Sequence, residues 1–222
     1  MLNQGPKIVT NGLVLCLDAA NRKSYPGSGN TWYDLSGNNK HAIMNNLTSS
    51  NFVIFDGVKC FETTDAADQY FSISNYIRQG SNGRTCEIWI AEKSSSLGWQ
   101  TWIEDSDSGG GDPFFGYNTA MYLYPQSFGT LTLNEWYHIV YTLVGGNGSD
   151  VEVYVNGESR GVQTYTGQVT SGSGTIYLLG DASAFNEQSS VYCSAVKIYN
   201  RVLSATEIKQ NYTVVKSRFG HS

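Results

Sequence analysis

Residues 134–157 read NEWYHIVYTLVGGNGSDVEVYVNG, and their alternation decides the fold. With a period of two, Trp136, His138, Val140, Thr142 and Val144 share one face, and Tyr137, Ile139, Tyr141 and Leu143 share the other. Both faces are largely apolar. That is the pattern of a strand buried on both sides, with a sheet across one face and a loop or helix across the other. Gly145 to Asp150 then forms a hairpin loop, Val151 to Val155 pairs back, and Asn156-Gly157 is a type I′ turn signal leading into the next strand. The Trp136, His138 and Val140 face is expected in the core between two sheets.

Similar runs recur on either side of this hairpin: Leu13 to Asp18, Trp32 to Leu35, Phe52 to Phe55, Tyr70 to Ile73, Arg84 to Ala91, Thr101 to Glu104, Phe114 to Tyr117, Met121 to Tyr124, Thr175 to Leu179 and Tyr192 to Tyr199. Tight-turn pairs such as Pro26-Gly27, Asp56-Gly57 and Asn82-Gly83 punctuate them. Aromatic residues at 13%, with 24 glycines, suit pleated surfaces joined by tight turns. The expected fold is all-β: a two-sheet antiparallel β-sandwich of jelly-roll type with one short C-terminal helix. That helix starts at Ser204-Ala-Thr-Glu207, which fits a capping box, and carries Ile208 and Tyr212 on one stripe. No linker-like stretch divides the chain, so the expected organisation is an N-terminal arm at 1–11, one domain at 12–215 and a basic, unpatterned tail at 216–222.

The net charge of -5 and the lack of a basic stripe exclude unassisted binding to nucleic acid. The N-terminus has no basic region followed by an apolar run, and no window reaches the length of a membrane span, so folding in cytoplasm without membrane insertion is expected. Cys16, Cys60, Cys86 and Cys193 lack CxxC spacing and read as small buried hydrophobes. The sequons at Asn46, Asn147 and Asn211 read as chance matches in a sequence rich in Asn, Ser and Thr. His138 has neither a GxSxG elbow nor neighbouring metal ligands in the sequence, and reads as a hydrogen-bonded core residue.

The run Trp136-Tyr-His138-Ile-Val-Tyr-Thr-Leu, followed by Val153-Tyr-Val-Asn156-Gly157, resembles the laminin-G-like branch of the concanavalin A-like lectin/glucanase superfamily. Gly12-Leu-Val-Leu-Cys-Leu-Asp18 with Trp32-Tyr-Asp34-Leu-Ser-Gly37-Asn38 is similar to that family's opening strand and its WxDxSGN turn. Phe55-Asp56-Gly57 is similar to its FDG strand end, and Val196 to Ile208 with Tyr212 to its closing strand and helix. Cys193-Ser-Ala195 departs from the pattern, since family members often carry an acidic pair there. The N-terminal third, NGLVLCLDAANRKSYPGSGNTWYDLSGNN, is also similar to versions of this domain in virion proteins of tailed bacteriophages.

Glucanases on this superfamily's fold place two carboxylates on one strand face, typically as ExDxxE. The nearest acidic strand end, Glu104-Asp105-Ser106-Asp107, sets Glu104 in phase with Ser106 and supplies no third carboxylate at the needed step, so no catalytic residue is expected. Asp105, Asp107 and Asp112 lie in a glycine-rich loop that reads either as a calcium site or as a solvated acidic loop; no cofactor is required by the pattern. Around that loop, Trp99, Phe115, Tyr117 and Asn118 are the candidate glycan-binding residues, with ordinary sheet packing as the other reading of the aromatics. Trp99, after Leu97-Gly98, is the one most expected at the surface.

The resemblance thus implies a non-catalytic virion surface protein, a capsid decoration or a tail or fibre component. Its partners would be other virion proteins or further copies of itself, with host-surface glycans as a second ligand. A bacterial carbohydrate-binding module unconnected to a virion is the alternative. A glycoside hydrolase would require distant carboxylates to converge.

Overall fold

A computed structural model of the chain describes residues 7–64, 68–79, 83–94, 98–106, 114–123, 125–166, 171–180 and 187–222. In chain order the first eight strands are β1 Leu13–Asp18, β2 Thr31–Trp32, β3 Ala42–Asn45, β4 Phe52–Phe55, β5 Val58–Glu62, β6 Tyr70–Gln79, β7 Arg84–Glu92 and β8 Gln100–Ser106. They are followed by β9 Phe114–Tyr117, β10 Met121–Leu123, β11 Gln126–Ser127, β12 Tyr137–Leu143, β13 Asp150–Val155, β14 Glu158–Thr164, β15 Ser171–Leu178 and β16 Val191–Tyr199, then helix α1, Ala205–Val215.

The strands form two antiparallel sheets. The first runs β14-β13-β12-β7-β16-β5-β4, with β1 also paired to β16; the second runs β11-β10-β9-β8-β15-β6-β3-β2. Strand β16 keeps β7 along one edge and changes partner along the other, from β5 at Tyr192 and Cys193 to β1 from Ala195 to Tyr199. The change falls on a bulge at Ser194, whose carbonyl accepts from Ala19 N at 2.8 Å and whose hydroxyl donates to Lys59 O at 2.9 Å. The bulged residue thus bonds both neighbours that the strand exchanges.

Between the sheets lies one aromatic-rich core. Trp32, Phe61 and Phe71 meet at centroid distances of 4.9 and 5.2 Å, and Phe115 meets Tyr141 edge-on at 4.9 Å. The faces of β12 are the reverse of the expectation. Ile139, Tyr141 and Leu143 point into this core, whereas Trp136, His138 and Val140 lie on the outer face, beneath α1 and the residues after it. Period two cannot rank two apolar faces, and here a helix excludes water from one as fully as the opposite sheet does from the other.

Two motifs act as structural clasps. Asp34, in the WYDLSGN turn, accepts from the backbone N–H groups of Cys16 (2.9 Å), Ser36 (2.9 Å) and Lys40 (3.2 Å) and from the Ser36 hydroxyl (2.7 Å), tying the turn to β1. Asn156 and Gly157 both take positive φ, 54° and 77°, as a type I′ turn requires. Helix α1 begins with the expected capping box: Ser204 Oγ accepts from Glu207 N, and Glu207 Oε2 accepts from Ser204 N. Residues 216–222 fold back on the first sheet despite their unpatterned sequence. Phe219 stacks on Trp89 with centroids 3.8 Å apart, Arg218 pairs with Asp18, and His221 is bonded to Trp136 O and Tyr212 OH.

Candidate functional site

The outer faces of the two sheets differ in chemistry. On the second sheet, alternation sends Phe71, Ile73, Ile176, Leu178, Met121 and Leu123 inward and leaves Tyr70, Ser72, Tyr177 and Tyr122 half-buried on the outside. Cross-strand register lines up Ile43 on β3, Ser72 on β6, Tyr177 on β15 and Glu104 on β8. At about 4.8 Å between strands this row spans about 14 Å. The Asn45 amide donates to Ser72 Oγ at 3.0 Å, and the Tyr70 and Tyr177 rings meet edge-on at 5.7 Å.

Strands β6, β8 and β10 run in one direction, and each brings an aromatic residue to its start. Tyr70 opens β6, Trp99 immediately precedes β8, and Tyr122 is the second residue of β10. Trp99 packs edge-on against Tyr122 at 4.9 Å and stays half-buried. The face therefore combines aromatic surface, suited to the apolar side of a sugar ring, with hydroxyl, amide and carboxylate groups suited to its hydroxyls.

Beneath the start of β8 lies a buried acid. Glu92, the last residue of β7, points inward and accepts from Trp102 Nε1 at 3.0 Å; burial pushes its carboxyl up to about 8, against the hydrogen bonds that it accepts. Gln100 donates to Ser94 O (2.8 Å) and accepts from Ser190 N (2.9 Å). These bonds fix both ends of the connection between β7 and β8, and with them the backbone next to Trp99.

Of the residues expected to contact glycan, Trp99 belongs to this face. Phe115 and Tyr117 do not: both are in the core, where Phe115 meets Trp102 and Tyr141 edge-on and Tyr117 stacks on Trp102, so neither ring has a face left for a sugar. Asn118 is half-buried in the turn between β9 and β10, with its N–H bonded to Ala120 O at 2.9 Å. Asp105 sits in β8 opposite Ile176, while Asp107 and Asp112 lie outside the described residues. Among the described residues no group of three or more His, Cys, Asp or Glu side chains is placed to hold a metal ion. Sequence reasoning missed Tyr70, Ser72, Tyr177 and Asn45, which become neighbours only through strand register.

The outer face of the first sheet carries charge instead, and α1 covers that charge. Glu87, His138, Lys197 and Asn211 are all buried under α1. Lys197 Nζ is ion-paired with Glu87 Oε1, His138 Nε2 lies 3.1 Å from the same oxygen, and Asn211 donates to Glu87 Oε2 at 2.8 Å and to Tyr199 OH at 2.9 Å. Burial alone would raise the Glu87 carboxyl, but Lys197 and then His138 outweigh it and hold the group well below the usual carboxylate range. Burial lowers His138, with Glu87 opposing. The Asn211 amide of the third sequon is thus engaged inside the fold. His138 is buried, as expected, but under α1 instead of between the sheets, beside a carboxylate that the sequence did not single out.

The chain belongs to the concanavalin A-like lectin/glucanase superfamily, whose family model matches residues 54–209. The match begins after the WYDLSGN turn, so that part of the resemblance stands on its own residues. A Trypanosoma rangeli sialidase mutant displaying trans-sialidase activity superposes with a TM-score of 0.66 at 19% identity, over 98% of this chain and 35% of that one. The binding domain of Paraclostridial Mosquitocidal Protein 1 gives 0.63 at 18% identity, over 96% and 56%. The receptor binding domain of botulinum neurotoxin C/D mosaic serotype gives 0.64 at 15% identity, over 93% and 52%. At such identities the likeness is one of fold, and the chain spans about a third of the sialidase's length and about half of each toxin chain's. Comparison with curated proteins gives no match.

Proposed function

We propose that this chain is a non-catalytic recognition module that binds glycan on the outer face of its second sheet, displayed on a tailed-bacteriophage virion as a capsid decoration or a tail or fibre component. The observation that carries the glycan reading is the half-buried row across that face, in which Tyr177 with Tyr70 supplies ring surface and Ser72, Asn45 and Glu104 supply polar groups. The non-catalytic reading rests on carboxylate number. Glu104 is the one acid that the described strands of this sheet place on its outer face, where the glycosidase mechanisms built on a carboxylate pair need two. Support for the virion setting is the form of residues 11–39, and its protein partners would meet the N-terminal arm and exposed sheet edges. No cofactor is required in this reading; Asp105, Asp107 and Asp112 mark where calcium would act as an accessory.

The test is a glycan array probed with the chain, in calcium and in chelator. Retention of a defined glycan class that falls at least tenfold in Tyr177→Ala supports the reading, and retention unchanged in that variant refutes the site. Loss of retention in chelator assigns the acidic loop to calcium. Release of free sugar on prolonged incubation would overturn the non-catalytic part. An electron-microscopy reconstruction of particles from the source tests the virion setting by whether this sandwich repeats on their surface.

A further inference from the structure

The outer face of the first sheet is not sealed along its whole length. A cavity of about 350 Å³ opens between β1, β16 and the residues after α1, at the lower end of the range of about 300–1,000 Å³ typical of small-molecule sites. Its walls include Leu13, Trp89, Val215 and Phe219, and its polar lining includes Lys197 and, nearer solvent, the paired Asp18 and Arg218.

Lys197 is the feature that bears on a ligand. Its side chain is 7% exposed, yet its ammonium, with three donors, has one acceptor among the described residues, Glu87 Oε1. The other charges nearby are committed. Glu87 is shared by Lys197, His138 and Asn211, and Asp18 takes both of its short contacts from Arg218, at 2.9 and 3.0 Å. A full negative charge entering the cavity would meet the Asp18 carboxylate in its lining, while the two lining cations, Lys197 and Arg218, are already paired with Glu87 and Asp18. An uncharged acceptor oxygen would meet spare ammonium donors at no such cost.

We propose that this cavity binds a small uncharged molecule with an apolar body and one acceptor oxygen, the body lying against Trp89, Leu13 and Val215 and the oxygen accepting from Lys197. The site is on the opposite sheet from the glycan face and does not depend on it.

Three related probes separate the contributions: benzamide and benzoate, alike in shape, and toluene, which keeps the ring without the oxygen, each titrated into the full chain and followed by assigned amide resonances in two-dimensional NMR. The expected result is saturable shifts at Cys16, Trp89 and Lys197 with benzamide, at least tenfold weaker binding of benzoate, and a benzamide preference over toluene that disappears in Lys197→Met. Should that variant fail to fold, Ala195→Leu narrows the same cavity without touching the charges and should abolish binding of all three. Absence of saturable shifts with benzamide, benzoate binding equal to benzamide, or undiminished binding in Ala195→Leu would each overturn the assignment.

Discussion

On the outer face of the first sheet, a glutamate and a lysine lie under α1 as an ion pair, with a histidine beside them. On the outer face of the second, tyrosines and a glutamate remain half-buried. Both faces arise from the same two-residue alternation, so the difference lies in the C-terminal segment. Residues 200–222 fold over the first sheet and convert its outer face into a second, smaller core built on Trp89, Trp136, Tyr212 and Phe219. Polar groups enclosed there must satisfy one another. Tyr70, Ser72 and Tyr177 on the second sheet retain access to solvent, and hence to a ligand. Burial of Glu87 and His138 therefore marks architecture, and the partly exposed aromatic residues of the second sheet mark the proposed glycan face.

The largest effect that sharpens this contrast is expected from Glu87→Ala. It leaves Lys197 buried without its counter-charge and removes one of the two acceptors of the Asn211 amide, and should cost about 3–5 kcal/mol in urea denaturation. A loss under about 1 kcal/mol would mean that the covered face is not held by its charges. Glu92 should give the opposite signature in pH. Folded, it keeps its proton up to about pH 8, whereas unfolded it releases it near 4.5. Its contribution is therefore complete below about pH 4.5 and is lost as pH rises to 8, by up to about 1.4 kcal/mol per pH unit in that window. In Glu92→Gln this decline should vanish from stability curves measured between pH 5 and 8. The depressed Glu87 acts in reverse, stabilising above the usual carboxylate range and ceasing to do so in strong acid.

Phe219→Ala, which removes the ring stacked on Trp89, should cost about 3 kcal/mol and alter the near-ultraviolet circular dichroism of the tryptophans while leaving glycan retention intact. The smallest stability change, under about 1 kcal/mol, is expected for Tyr177→Ala, the variant with the largest expected effect on binding. A Tyr177→Ala protein that unfolds as readily as Glu87→Ala would erase the distinction between the faces.

Much of this was legible in the sequence where a strand buries at least one face. The runs at 13–18, 52–55 and 114–117 coincide with strands because their side chains carry the pattern. Strand β14, ESRGVQT, shows no such pattern because it is an edge whose stability comes from backbone bonds to β13. The phase of β9 was the costly ambiguity. With Gly116 between Phe115 and Tyr117, nothing in FFGY states which way the rings face, and they face the core. Trp99 was readable from its place between a glycine and a strand. Tyr70 and Tyr177 were not, because they lie far apart in sequence and meet only through the register of β6 and β15.

The bulge at Ser194 carries a kinetic consequence. Because β16 separates β7 from both β1 and β5, the first sheet lacks its middle until residues 191–199 arrive, and the pairing of Leu17 with Val196 closes a loop that spans most of the chain. Contacts of such sequence separation are won late, after the entropy of closing the loop has been met. The two-strand ribbon of β4 and β5 and the meander from β12 to β14 can form beforehand from local pairings, leaving their edges unpaired. Refolding should therefore be slow for a chain of this size, with the half-built sheet as the species most prone to aggregate.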